Sequence, residues 1–184
     1  MNPRLLAALL LAGAPALSAQ GPSTEEWSSL QSNLEGLYAA IGGGGNLLII
    51  PGDNAFGYDA ELRLGYSFNP VLQIYLSGSV DGARLSGRTF RSGQIVAFVQ
   101  YHLLVKPAVM VYGRGGIGVG LSRDVVPDST AVGLAEAGGL GVEIRVAPNL
   151  FLGPELFYRN ASLSTQGIDQ QLHTIGLQLA LVYY

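Results

Sequence analysis

The chain contains no cysteine, so no disulfide holds it together. Lys106 is its only lysine, and ten basic residues stand against thirteen acids, which leaves no basic stripe for a nucleic acid. Charged residues make up 12% of the sequence, against about 25% in an ordinary soluble domain. Much of the surface is therefore built to face something other than water. Beyond the amino-terminal stretch no apolar run reaches the roughly 20 residues of a membrane-crossing helix, because Gly, Pro, Asn or a charge interrupts each one. With two histidines, no cysteine and no cluster at ligand spacing, the sequence predicts neither a metal site nor a cofactor.

What is present begins with Arg4, an apolar stretch from Leu5 to Leu17, and then Ser18, Ala19 and Gln20. This is the pattern of a secretory signal peptide over residues 1–19, cut after Ser18 or Ala19. Residues 20–33 form a polar lead in which Ser23-Thr24-Glu25-Glu26 resembles a helix-capping sequence before Trp27 and Leu30. A single helical turn and plain disorder fit that lead equally well.

From Gly36 onward alternation with period two takes over. Tyr58, Ala60, Leu62, Leu64, Tyr66 and Phe68 share one face of a strand, and Asp59, Glu61, Arg63, Gly65 and Ser67 the other. The same pattern places Leu72, Ile74, Leu76 and Val80 opposite Gln73, Tyr75, Ser77, Ser79 and Asp81. It recurs at Ile95 to Leu103, at Val109 to Leu121 and at Ile175 to Tyr183. Asn69-Pro70, Lys106-Pro107 and Pro148-Asn149 mark tight turns, and longer polar loops are predicted near 46–56, 81–91, 122–130 and 161–171. Three turns and four loops connect eight strands. The expected fold is all-β: an eight-stranded antiparallel up-and-down transmembrane β-barrel over residues 34–184, with its short turns in the periplasm.

A soluble barrel also alternates, so the chemistry of the two faces has to decide which lies outside. The polar face is rich in Gly, Ser, Tyr and Gln, which suit the narrow interior of eight strands better than a water-exposed surface. Its predicted charges balance, with Asp59, Glu61, Glu143 and Glu155 against Arg63, Arg114, Arg145 and Arg159, as enclosed charges must. Glu155 is expected to be shared by Arg63 and Arg114. Tyr58, Tyr66, Phe68, Tyr101, Tyr158 and Tyr183 fall toward the ends of the apolar faces, where interfacial rings belong.

GLYAAIGGGG at 36–45, the strand, Asn-Pro turn and strand at 62–76, GVEIRVAPNLFLGPELFYR at 141–159 and the aromatic Tyr183-Tyr184 resemble the small outer-membrane β-barrel family, the opacity-protein-like or outer-membrane-protein-A-like barrels. The resemblance covers 34–184. It implies the bacterial cell outer membrane, contact with its lipids including lipopolysaccharide, and insertion by the barrel-assembly machinery. It also implies that Ile175, Leu177, Leu179, Leu181 and Tyr183 serve as the insertion signal, with Tyr184 as one extra residue. Members of such a family are structural, adhesive or resistance-related, so the resemblance specifies fold and leaves the role and any extracellular partner open.

Some residues fit other chemistry by letter. Gly113-x-Gly115-x-x-Gly118 spells a dinucleotide fingerprint, yet it lies inside a strand where that motif requires a helix. His102 is expected to face inward near the periplasm, while His173 falls beside the last outer loop with Thr174 and Ser162, at the rim where a lipid-modifying enzyme would hold a His–Ser pair. Rim placement alone accounts for both histidines, and no enzyme is predicted. Glu136 falls on the lipid-facing parity of Val132, Leu134 and Leu140. Either it lies near the outer interface, or a bulge at Gly138-Gly139 turns it inward, and the bulge is the favoured expectation. Leu47-Leu48-Ile49-Ile50 either extends the first strands or forms an exposed apolar patch. The functional expectation is a plugged, charge-paired barrel with a structural or surface-interaction role. The alternatives are a narrow channel for ions or small solutes and an outer-membrane lipid-modifying enzyme.

Overall fold

Eight strands follow one another in the computed structural model, which describes residues 34–50, 52–85, 88–123, 130–165 and 168–184. The expected signal peptide and polar lead lie outside the described residues. The strands are β1 (Gly36–Ile50), β2 (Asp53–Ser67), β3 (Leu72–Leu85), β4 (Arg88–Val105), β5 (Val109–Arg123), β6 (Thr130–Ala147), β7 (Leu150–Thr165) and β8 (Ile168–Tyr183). Each pairs antiparallel with its neighbour in sequence, and β8 closes onto β1 through Ala39↔Tyr183 to Ile49↔His173. Closure leaves no free sheet edge, which is the condition a sheet must meet to sit in hydrocarbon. The barrel is of the eight-stranded antiparallel up-and-down transmembrane kind.

Three connections at one end are short and held by local hydrogen bonds. Asn69 caps the first, accepting from the backbone N–H groups of Val71 and Leu72 at 2.8 Å each. At the second, Lys106 and Val109 exchange backbone bonds. The third is Pro148-Asn149, where the Asn149 carbonyl accepts from the Tyr184 N–H. We call this the turn end.

The far end differs from the sequence expectation. Most residues assigned to long loops are strand: β1 and β2 run to Ile50 and Asp53, and β3 and β4 to Leu85 and Arg88. Backbone pairing needs no apolar side chain, so polar stretches such as Asp81–Leu85 stay in the ladder opposite Arg88–Ser92. Strands of 14 to 18 residues exceed the roughly 9–11 that cross a bilayer, so the surplus projects beyond the apolar belt.

That belt runs around the whole circumference. Along β8 the residues alternate between Leu177, 62% exposed, and Ala180, fully buried. Leu37, Ile41, Leu62, Leu64, Leu76, Ile95, Ile117, Leu134, Leu156 and Leu179 are likewise exposed around the circumference. Tyr66, Phe68, Tyr101 and Tyr183 ring its turn end, and Tyr58 and Tyr158 stand toward the far end.

The interior is layered and not uniformly polar. At the turn end Leu34, Tyr38, Phe98, Met110, Phe151, Val182 and Tyr184 form an apolar floor. At the far end Leu48, Ala83, Phe90, Ala131, Ala161, Leu163 and Leu172 form a second apolar cluster, with Ile50 and Ala55 packed against it. The apolar segment Leu47–Ile50 thus extends β1, with Leu48 turned inward.

Glu136 faces outward and is exposed. The bulge expected at Gly138-Gly139 does not form, since β6 runs in register past Arg114↔Gly139 to Ile117↔Glu136 on one side and Gly139↔Phe157 to Glu136↔Asn160 on the other. The register shifts sit instead at His102–Leu104 in β4 and Arg145–Ala147 in β6. Both adjoin turns, where a ladder is free to slip.

Candidate functional site

Between the floor and the far cluster lies a layer of charge. Glu61 and Arg63 descend on the inner face of β2, Arg114 enters from β5, Glu155 and Arg159 from β7, and Gln178 from β8. All are buried. Arg114 grips Glu61 with both terminal nitrogens, at 2.6 and 2.9 Å, and also bonds Glu155. Arg63 bridges Glu61 at 3.0 Å and Glu155 at 2.9 Å. Arg159 reaches Glu61 at 3.2 Å and Asp81 at 2.9 Å. Gln178 donates to both glutamates, at 2.7 and 2.8 Å, and the hydroxyls of Ser77 and Tyr112 donate to Glu61 and Glu155.

Missing side chains make room for this cluster. An added Cβ at Gly139 would lie 3.1 Å from Glu155 Oε1 and 3.2 Å from Arg114 Nε. Tyr75, Tyr112 and Phe157 lie across Gly65, Gly141 and Gly176 on the neighbouring strands. The guanidiniums use aromatic faces as further support, Arg114 at 4.4 Å from the Phe98 ring centre and Arg159 at 4.0 Å from that of Phe157.

A second polar group sits on the floor. Glu143 accepts from Tyr184 at 2.6 Å and Gln100 at 3.2 Å, with His102 Nε2 at 3.4 Å. Tyr184 in turn accepts from Gln73 at 2.6 Å and packs edge-on against Tyr38 and Phe151. This residue, counted from sequence as one beyond the insertion signal, is part of the floor itself.

The eight charged residues singled out in the sequence thus divide. Glu61, Arg63, Arg114, Glu155 and Arg159 come together, with Asp59 at 3.6 Å from Arg159 as the outlying member. Glu143 belongs to the floor. Arg145 does not join either group: it stays in register opposite Phe151 but lies at the turn end, where it donates to the Pro148 carbonyl and sits over the Phe151 ring. Asp81, Tyr112 and Gln178 were missed as network members. Their inward parity was readable, but Asp81 and Tyr112 bond partners on strands that are not adjacent in sequence, and Gln178 links Glu155 on the neighbouring β7 to Glu61 on β2; alternation carries no information about which strand lies across a barrel.

Outside the barrel, one row interrupts the apolar belt toward the far end. Glu136, Asn160 and His173 are aligned on β6, β7 and β8, and Tyr158 OH lies 2.8 Å from His173 Nδ1. Ser162 pairs with Gln171, one step diagonal to His173. Ile175, Leu177, Leu179, Leu181 and Tyr183 all face outward on β8.

No protein-family model and no curated protein matches the chain. Solved structures do. Neisserial surface protein A superposes with a TM-score of 0.69 at 15% identity, covering 80% of this chain and 96% of the other. OprG, an outer membrane protein of Pseudomonas aeruginosa, gives 0.52 at 12% identity over 83% and 98%. Ail, the attachment invasion locus protein of Yersinia pestis, gives 0.50 at 19% identity over 81% and 99%. The outer membrane enzyme PagL also gives 0.50, at 14% identity over 78% and 97%. At these identities the likeness lies in the backbone, and one backbone is shared by proteins of different activity. The chain has the fold of the small eight-stranded outer-membrane β-barrels.

Proposed function

We propose that this protein is an integral outer-membrane barrel whose interior is plugged and which serves a structural or surface-interaction role through its projecting far end. The observation that carries the reading is the central layer, where three buried arginines and two shared glutamates span the lumen from β2, β5 and β7 above an aromatic floor. Eight strands enclose little more than their own side chains, and the packing leaves the protein its outer surface to work with. The apolar belt with its aromatic ends supports placement in a bilayer. The outward residues Ile175 to Tyr183 support recognition by the assembly machinery, and the row at Glu136, Asn160 and His173 gives the lipid-facing surface a polar point of contact for outer-leaflet headgroups.

The absence of cysteine makes the topology directly testable. Single cysteines introduced at residue 126 and at Asn149 are labelled on intact cells with a membrane-impermeant maleimide. Residue 126 is expected to react and Asn149 to stay silent until the outer membrane is permeabilised. The reverse pattern overturns the orientation, and labelling of neither in cells that make folded protein overturns the placement in the outer membrane.

A further inference from the structure

Four carboxylates meet three guanidiniums in the connected central network: Asp59, Glu61, Asp81 and Glu155 against Arg63, Arg114 and Arg159. The layer is one positive charge short, and the shortfall has an address. Glu61 and Glu155 absorb Arg63 and Arg114 fully, whereas Arg159 is divided among Glu61, Asp81 and Asp59. Asp59 and Asp81 stand directly opposite each other on β2 and β3, 4% and 3% exposed. Neither oxygen of Asp59 has a hydrogen-bond donor among the described residues, nor does Oδ2 of Asp81.

A third strand brings an amide beside the pair. Asn46 on β1, 4% exposed, directs its amide nitrogen to Asp81 Oδ1 at 3.1 Å and to the Tyr58 carbonyl at 3.0 Å. Its own Oδ1 has no donor among the described residues. That oxygen lies over Gly57, the next inward position of β2 beyond Asp59, and would be 2.6 Å from a Cβ there. The apolar cluster around Leu48, Ala83 and Phe90 lies beyond it. Two opposed enclosed carboxylates that together leave three oxygens without a donor are costly unless a further positive charge joins them.

We infer that Asn46, Asp59 and Asp81 form a binding site for one hard monovalent cation of the alkali-metal class, held by oxygens from three adjacent strands. Carboxylate and amide oxygens suit a hard cation. The missing charge is one and not two, and the four donor-free protein oxygens fall below the six to eight ligands that calcium gathers. The inference rests on the geometry of the outer part of the lumen and does not depend on whether the barrel conducts.

The test is thermal unfolding of the chain refolded in zwitterionic detergent free of lipopolysaccharide, in sodium chloride and in choline chloride of equal ionic strength and pH. Sodium or potassium is expected to raise the unfolding midpoint by a few degrees over choline, since a ligand that binds only the folded state stabilises it. Asp59→Asn is expected to abolish that difference while raising the midpoint in choline, because it removes the surplus charge and breaks only the 3.6 Å contact to Arg159. Asn46→Ala, which leaves both carboxylates, is expected to reduce the sodium effect. Heat-modifiable migration in gels verifies that each variant is folded. Equal midpoints in sodium, potassium and choline overturn the site, as does an undiminished sodium effect in Asp59→Asn. A calcium effect that exceeds that of sodium at equal ionic strength and is lost in Asp59→Asn overturns the monovalent assignment.

Discussion

The two faces of the same strands obey opposite rules. Outside, the lipid asks for the same property at every position, so Leu62, Leu64, Ile117, Leu177 and Leu179 are interchangeable in kind and touch no specific partner. Inside, Arg63, Arg114, Glu61 and Glu155 each have named partners at fixed distances, and replacing one leaves another exposed to a medium that cannot solvate it. The outer face is held by composition, the inner face by pairing. Damage to the first should therefore scale with depth in the membrane, and damage to the second with the number of partners left behind.

The largest expected effect follows from that difference. Arg114→Met takes a shared cation from two glutamates at once, leaving Arg63 between them, and should destabilise the barrel by about 3–5 kcal/mol, read from urea unfolding in detergent or bilayer vesicles. The double variant Arg114→Met with Glu61→Gln should recover part of the loss. Strict additivity of the two single losses would break the pairing argument. Next comes Leu179→Arg on the outer face, with a cost of about 2–4 kcal/mol near the bilayer centre. Tolerance of that change equal to tolerance of Arg145→Ala would remove the lipid-facing assignment.

Glu136 supplies the reverse case. It is the acid that breaks the outer rule, exposed beside Ile117 and Asn160, so Glu136→Leu should stabilise the barrel in a bilayer by about 1 kcal/mol or less. A loss of stability would show that the carboxylate is satisfied where it stands. Smallest of all, Arg145→Ala should change stability by about 0.5 kcal/mol or less, because this arginine has only the exposed Pro148 carbonyl and a ring contact at 5.8 Å from Phe151, and joins no ion pair among the described residues. A loss comparable to that of Arg114→Met would restore it to the interior network.

This asymmetry also sets how much could be read from sequence. Strand number, antiparallel order and the outward set from Tyr58 to Phe68 were legible because one uniform solvent imposes one uniform period. The inner face was legible in parity alone. Phe98, Phe151, Met110 and Val182 share it with the charges and build the floor, so apolar residues on the polar side of the pattern were structure and not noise. Arg145 and Arg159 share inward parity, and depth separates them, since Arg145 sits beside the Pro148 turn whereas Arg159 reaches Glu61 and Asp81. The far-end loops come out shorter than expected because polar composition does not end a strand, and the backbone ladder continues through Asp81–Leu85 and Arg88–Ser92. The preference for a bulge at Gly138-Gly139 failed for a related reason: glycine permits a bulge, but two intact flanking ladders give no cause for one.

The central claim is that paired charge closes the lumen, and ion conductance tests it most directly. Purified protein in a planar bilayer is expected to give no steady current, and Glu155→Gln, which removes the carboxylate charge shared by Arg63 and Arg114, is expected to admit ions or to lower stability. Steady conductance by the unaltered protein, with Glu155→Gln changing neither current nor stability, would contradict the plug and make the barrel a channel.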